Sequence, residues 1–305
     1  MRLISGAGRF AASCISLLWV AHASAAPLRV ASLHPIISDL ARQVGGDQVE
    51  VINLMPLDSN PHNFYPSPAN LKEASRADLI LASGKGLESY LEKFRESIDG
   101  NIPLFEVGRA VPSLRITADE IFICCPAHAT GAIDPHWWHS IKNTRRAAGA
   151  IADEFARLRP EQKEYFHQQY RKYAEQLDLL YRWAKKEIST IPRSDRELTT
   201  AHAAFGYLCR EMELRSITVL GLTTEQDADP SYLKDVIRTL REQRVRAVFP
   251  EAHANPKVLE SLAREAGVAI GGHLHGDMLG VKDSTYEDMM RHNITTIVES
   301  LRAGN

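Results

Sequence analysis

Apolar positions along the chain follow two rhythms. Short β-branched and aliphatic runs at Leu28 to Ser32, Val49 to Met55 and Asp78 to Ala82 read as strands, and Pro35 to Val44 and Leu87 to Ile98 between them carry helical spacing. The same alternation returns late in the chain. Strands are expected at Glu197 to Ala201, Ser216 to Gly221, Ala247 to Pro250 and Val268 to Gly271, separated by helices at Phe205 to Met212, Pro230 to Gln243 and Pro256 to Ala266. Such alternation is that of mostly parallel sheets covered by helices on both faces. Capping signals mark the helix starts at Ser67-Pro68, Asp229-Pro230 and Asn255-Pro256, and Ser284 with Glu287 reads as a capping box for the last helix.

The middle of the chain breaks the rhythm. Ser140 to Leu158 and Pro160 to Ile191 are rich in helix formers, with no glycine after Gly149 and no proline between Pro160 and Pro192. The second stretch would reach on the order of 45 Å at about 1.5 Å per residue, longer than one small lobe needs. The expected architecture is α/β, two lobes with mostly parallel sheets joined by a single long rigid helix. The N-terminal lobe spans 26–159, the linking helix 160–191 and the C-terminal lobe 192–305. Thr117 to Ile133, with Cys124, Cys125, His128 and small residues, reads as a loop over the cleft between lobes.

The first 25 residues read as a signal peptide. Arg2 and Arg9 precede an apolar stretch from Ala11 to Ala21, about 11 residues against the roughly 20 of a spanning helix, and Ala23-Ser24-Ala25 fits the cleavage rule. Cys14 lies ahead of Leu17 to Val20, a poor position for a lipoprotein cleavage site. These residues hold two arginines and no acids, so the remainder sets 34 basic against 38 acidic residues, a net charge of −4. That balance gives no sign of a nucleic-acid surface. An odd cysteine count beyond the leader, Cys124, Cys125 and Cys209, argues against a disulfide framework in an oxidising compartment.

Chemistry in an open α/β sheet gathers beyond the carboxyl ends of the strands. His62 follows the second strand, His202 follows Glu197 to Ala201 directly, His136 lies in the turn leading into the long helical region, and Asp277 follows the last strand. Three imidazoles and one carboxylate make a four-coordinate set suited to zinc. Each also has a plainer explanation: exposed loop histidines for His62 and His136, a helix cap for His202, a turn residue for Asp277. His273 and His275 share one face of an extended segment, and His139 lies one helical turn beyond His136. His34, His292 and His167 read as structural or surface residues. Glu251 and His253 sit at a strand end where they can line the cleft.

Four motifs then carry a resemblance over nearly the whole mature chain. DSNPHNFYPSP at 58–68, IDPHWW at 133–138, TAHAAFGY at 200–207, and LHGDMLG at 274–280 followed by STYEDMMRHN are similar, in order, to those of cluster A-I (cluster 9) solute-binding proteins, the zinc and manganese receptors of ABC importers. The resemblance implies metal ligation by His62, His136, His202 and Asp277; Glu251 is a candidate acceptor behind a ligand ring, and His139 and the loop residue His128 are further candidates near the cleft. It also implies a periplasmic receptor working with an ABC permease in the inner membrane; a monomer is expected, and a periplasmic metallochaperone is a further candidate partner. In this family a histidine as third ligand goes with zinc and a carboxylate there with manganese, so His202 favours Zn2+. The chain departs from the pattern in lacking a long histidine-rich loop and in carrying Trp137-Trp138-His139 after His136. A secreted zinc hydrolase is the competing class, but HExxH and G-x-S-x-G are both absent and four ligands leave no open position for substrate.

Overall fold

The computed structural model describes residues 26–57, 59–98, 100–116, 121–122, 131–219, 230–251, 257–280, 282 and 284–303. In the N-terminal lobe β1 (Leu28–Ser32), α1 (Pro35–Gly45), β2 (Val49–Asn53), α2 (Pro68–Ala74), β3 (Leu79–Ala82), α3 (Leu91–Ser97) and β4 (Leu104–Glu106) follow one another. Their strands form a parallel sheet in the order β2-β1-β3-β4, with Leu28 opposite Val49 and Val30 opposite Leu79. Side chains alternate across it: Leu79 and Leu81 face one apolar cluster, Ile80 and Ala82 another. Both faces are covered, as the continuous apolar runs require.

Short strands β5 (Leu114–Arg115), β6 (Ile121–Phe122) and β7 (Ile133–Asp134) lead to α4 (Ile141–Leu158), a 3-10 turn at Pro160–Gln162, and α5 (Lys163–Ser189). At 27 residues α5 is about 40 Å long. The C-terminal lobe then runs β8 (Glu197–Thr200), α6 (Gly206–Met212), β9 (Arg215–Thr218), α7 (Pro230–Glu242), β10 (Ala247–Phe249), α8 (Lys257–Ala266), β11 (Ala269–Ile270) and α9 (Tyr286–Ala303). Its parallel sheet has the order β11-β10-β8-β9-β6. Two parallel sheets joined through one long helix are the architecture expected from the sequence.

Several local expectations are corrected. Residues 87–90 are not helical: Gly84, Lys85 and Gly86 all take positive φ (77°, 58° and 83°), and the Glu88 carboxylate accepts from the backbone N–H groups of Ser83 and Gly84, so a tight loop precedes α3. Within Thr117 to Ile133, residues 121, 122 and 133 are strand rather than loop. Residues 121–122 add an edge strand to β9, and Ile133 pairs with Arg115. Cys124, Cys125 and His128 lie outside the described residues, as do Asp229, His253, Asn255 and Pro256. Ser67 caps α2 as expected, with Asn70 reciprocating. The cap of α9 is shifted by one residue: Thr285 accepts from the Asp288 N–H, while Glu287 pairs with Arg291.

The lobes share one core. A single apolar cluster runs from Leu28 and Val30 of β1 through Phe155 of α4 and Phe166 of α5 to Leu198 of β8, Phe249 of β10 and Ile294 of α9. Polar contacts, one of them fully buried, fasten the same junction. Asp39 of α1 accepts from the Tyr286 N–H at the start of α9 at 2.8 Å, and the Glu211 carboxylate of α6 accepts from the first turn of α4, at Ile141 N (2.8 Å) and Lys142 N (3.3 Å). Each carboxylate supplies an acceptor to a helix N-terminus whose N–H groups lack intrahelical partners. Asp39→Ala is expected to lower stability by about 1–3 kcal/mol, because it orphans a buried N–H. Urea unfolding measures it, with exposed Lys172→Ala as the neutral control; an unshifted midpoint for Asp39→Ala would reject the inter-lobe contact as a stabilising one.

Candidate metal centre

The four side chains singled out from the sequence are brought together by the carboxyl ends of the two sheets. His62 lies in the connection between β2 and α2, where the Asn60 side chain accepts from its backbone N–H at 2.9 Å and tightens the turn. His136 follows β7, and His202 follows β8 with its carbonyl accepting from the buried Thr200 hydroxyl at 2.9 Å. Asp277 lies beyond Leu274, which bridges to Glu251 at the end of β10. The segment before it is fixed by Asn293 of α9, whose amide accepts from His275 N and donates to His275 O, both at 2.8 Å.

Donor atoms of His62, His136, His202 and Asp277 all lie within 4.8 Å of one another. Nε2 of His62 is 3.2 Å from Nε2 of His136, and the Asp277 carboxylate oxygens lie 3.6, 3.3 and 3.4 Å from Nε2 of His62, His136 and His202. Four donors about 2.0–2.2 Å from one tetrahedral ion would stand roughly 3.3–3.6 Å apart. The geometry therefore fits a divalent cation with little rearrangement. His136 and His202 are fully buried, whereas His62 and Asp277 are each 10% exposed, so the open side of the site is theirs.

Carboxylates behind the rings set their tautomers. Asp134 accepts from the His136 backbone N–H and lies 2.8 Å from its Nδ1, which places the hydrogen on Nδ1 and turns the Nε2 lone pair to the centre. Glu251 does the same for His202, 2.5 Å from Nδ1 and accepting from its backbone N–H at 3.0 Å. Glu251 was anticipated from the sequence. Asp134 was not, although it stands in the IDPHWW motif. Its signal is a carboxylate two residues before a ligand, within reach of both backbone and ring.

His139 does not join the quartet. It is buried, stacks at 4.4 Å on Phe205, and donates from Nε2 to the Gly276 carbonyl at 2.6 Å. Burial lowers its pKa to about 3, which keeps it neutral. His34, read from sequence as structural or surface, is buried at the N-cap of α1, where Nδ1 accepts from Ile36 N, and its ring packs 4.8 Å from Trp138.

The charges follow from these contacts. Burial alone would lower the His202 pKa, but Glu251 and Asp277 reverse it and hold it well above the ordinary value; His136 is likewise raised through Asp134 and Asp277. Burial would raise Asp277, yet the three imidazoles keep it well below the usual carboxylate range. Below its raised pKa a ring is imidazolium and cannot ligate, and above it the Nε2 lone pair is free. Divalent-ion affinity should therefore rise with pH, by about tenfold per pH unit for each proton displaced, and its fall should begin above the free-histidine value of about 6.5. Indicator competition between about pH 8 and 5 measures this; flat affinity across that range would contradict the ligand set.

Comparison with known proteins places the chain in a family. The model of the family described as ZnuA, zinc-uptake complex component A, periplasmic, matches residues 30–300. The manganese-binding lipoprotein MntA of Bacillus subtilis is 32% identical over 283 residues, covering 90% of each chain. The manganese ABC transporter substrate-binding lipoprotein PsaA of Streptococcus mitis is 25% identical, covering 92% of this chain and 91% of its own. Among solved structures, the periplasmic zinc-binding protein TroA of Treponema pallidum superposes with a TM-score of 0.80 at 26% identity, covering 91% of this chain and 99% of TroA. The chain belongs to the ZnuA family of metal-binding solute-binding proteins of ABC transporters, receptors rather than enzymes.

Proposed function

We propose that the chain is a zinc receptor: it captures Zn2+ between its lobes through His62, His136, His202 and Asp277 and delivers it to a permease in the inner membrane. The observation that carries the metal choice is His202. An imidazole stands at the third position, backed by Glu251 at 2.5 Å, and three nitrogens with one oxygen suit zinc better than manganese, which favours oxygen donors. The runner-up is manganese, since MntA and PsaA are both named for it. Both readings use the same four residues.

Export as a soluble periplasmic protein is the accompanying proposal, supported by Ala23-Ser24-Ala25 and by the position of Cys14. The lobe boundaries at 159 and 191, a monomeric state and a metallochaperone donor belong to the same proposal. Because the lobes share a core and two carboxylate contacts, loading and release are assigned to local movement near the site rather than to wide hinge closure.

Metal analysis of protein purified without chelator tests the reading. Stoichiometric zinc is expected in the unmodified chain and its loss in His202→Ala. Stoichiometric manganese, with zinc unable to displace it, would give the site to manganese.

A further inference from the structure

The Trp137-Trp138-His139 turn is the part of the sequence that departs from the family pattern and that ligand chemistry alone does not use. All three side chains are fully buried. The turn is held from several sides. The Trp138 carbonyl accepts from the Tyr286 hydroxyl of α9 at 2.7 Å and from the Thr144 hydroxyl of α4 at 3.1 Å, and the Trp137 indole donates to the Ser83 carbonyl beyond β3 at 3.2 Å. From this anchored base two donors converge on one acceptor in the other lobe. Trp138 Nε1 reaches the Gly276 carbonyl at 2.9 Å, and His139 Nε2 reaches the same oxygen at 2.6 Å.

Gly276 immediately precedes Asp277. A Cβ there would lie 2.8 Å from Glu251 Oε2 and 3.3 Å from His202 Cε1, so the peptide approaches the site as closely as glycine allows. The carbonyl is fastened on one side by two donors, and on the other side the carboxylate faces the three imidazoles. Its backbone position is thus set without help from the cation.

We infer that Trp138 and His139 are positioning residues for metal capture, which act through the shared Gly276 carbonyl to hold Asp277 in ligating position before the ion arrives. This rests on the reading of Asp277 as a ligand and deepens it. A carboxylate held in advance loses less conformational freedom on binding than one recruited from a mobile loop, so the tether raises affinity without touching the metal.

The test is a set of double-mutant cycles on the full mature chain, with Zn2+ affinity read by indicator competition and coordination read by the visible spectrum of the Co2+ form. Trp138→Phe and His139→Phe each remove one donor and keep an aromatic ring. Each is expected to weaken Zn2+ binding by about tenfold or more, the size typical of groups supporting a ligand, and to shift the Co2+ spectrum toward that of Asp277→Ala. In the Asp277→Ala background neither is expected to cost anything further. His139→Gln, which restores a donor, is expected to recover affinity. Unchanged affinity in both aromatic variants, or the same loss with and without Asp277, would overturn the tether. If Asp277→Ala itself binds Zn2+ as well as the unmodified chain, the ligand reading falls and the tether with it; if Asp277→Ala is weakened and the donor variants are not, the tether alone falls. Two independent donors leave one cycle to decide should the other variant fail to fold.

Discussion

Buried negative charge is the constraint around which this molecule is arranged. Asp134, Glu251 and Asp277 bring three carboxylates against three imidazoles in a site where two of the rings are fully enclosed. Desolvated carboxylates at that density require positive charge among them. Protons on His136 and His202 can supply it, and so can a divalent ion bound at the ring nitrogens. On the proposed reading, uptake exchanges one for the other. The supporting carboxylates therefore act twice, by orienting each ring through its Nδ1 and by raising its affinity for positive charge, proton or metal.

Such an exchange needs ligands from two lobes to stay in register, and the frame explains how they do. A hinge that opened widely would strip Asp39 from the α9 terminus, strip Glu211 from the α4 terminus, and divide an apolar cluster shared by both sheets. Opening would thus cost several buried contacts at once. The α5 helix packs against both α1 and α9 and so ties the N-terminal lobe to the C-terminal one along its length. The remaining freedom lies on the side where His62 and Asp277 are partly exposed, with the Gly276 carbonyl limiting how far the acid can move.

Much of this was legible in the sequence. The strand runs and the long helical stretch are set by patterns that local physics makes readable, β-branched runs and absence of helix breakers, and position relative to strand ends together with the four motifs marked the residues that the fold brings together. Other features were not readable for definable reasons. Strands β5, β6 and β7 are two residues each and show no period, so their pairing exists only as long-range hydrogen bonds. Residues 87–90 imitate a helix in their apolar spacing, and the positive φ values from Gly84 to Gly86 with the Glu88 carboxylate bonds to Ser83 and Gly84 show otherwise. The α9 cap was read at Ser284, but the hydroxyl that takes the role is that of the next residue, Thr285, and which of the two caps depends on where the chain arrives. Asp134 was passed over because a carboxylate in a turn has an ordinary explanation until its neighbours are known, whereas His34, read as structural or surface, is structural.

The central claim is that three ring nitrogens and one carboxylate oxygen, drawn from both lobes, surround a single ion. X-ray absorption at the zinc edge of the stoichiometrically loaded protein addresses it most directly. The account predicts one nitrogen and oxygen shell at about 2.0–2.2 Å with the outer scattering of three imidazoles. A sulfur shell near about 2.3 Å, or scattering from fewer than three rings, would contradict it.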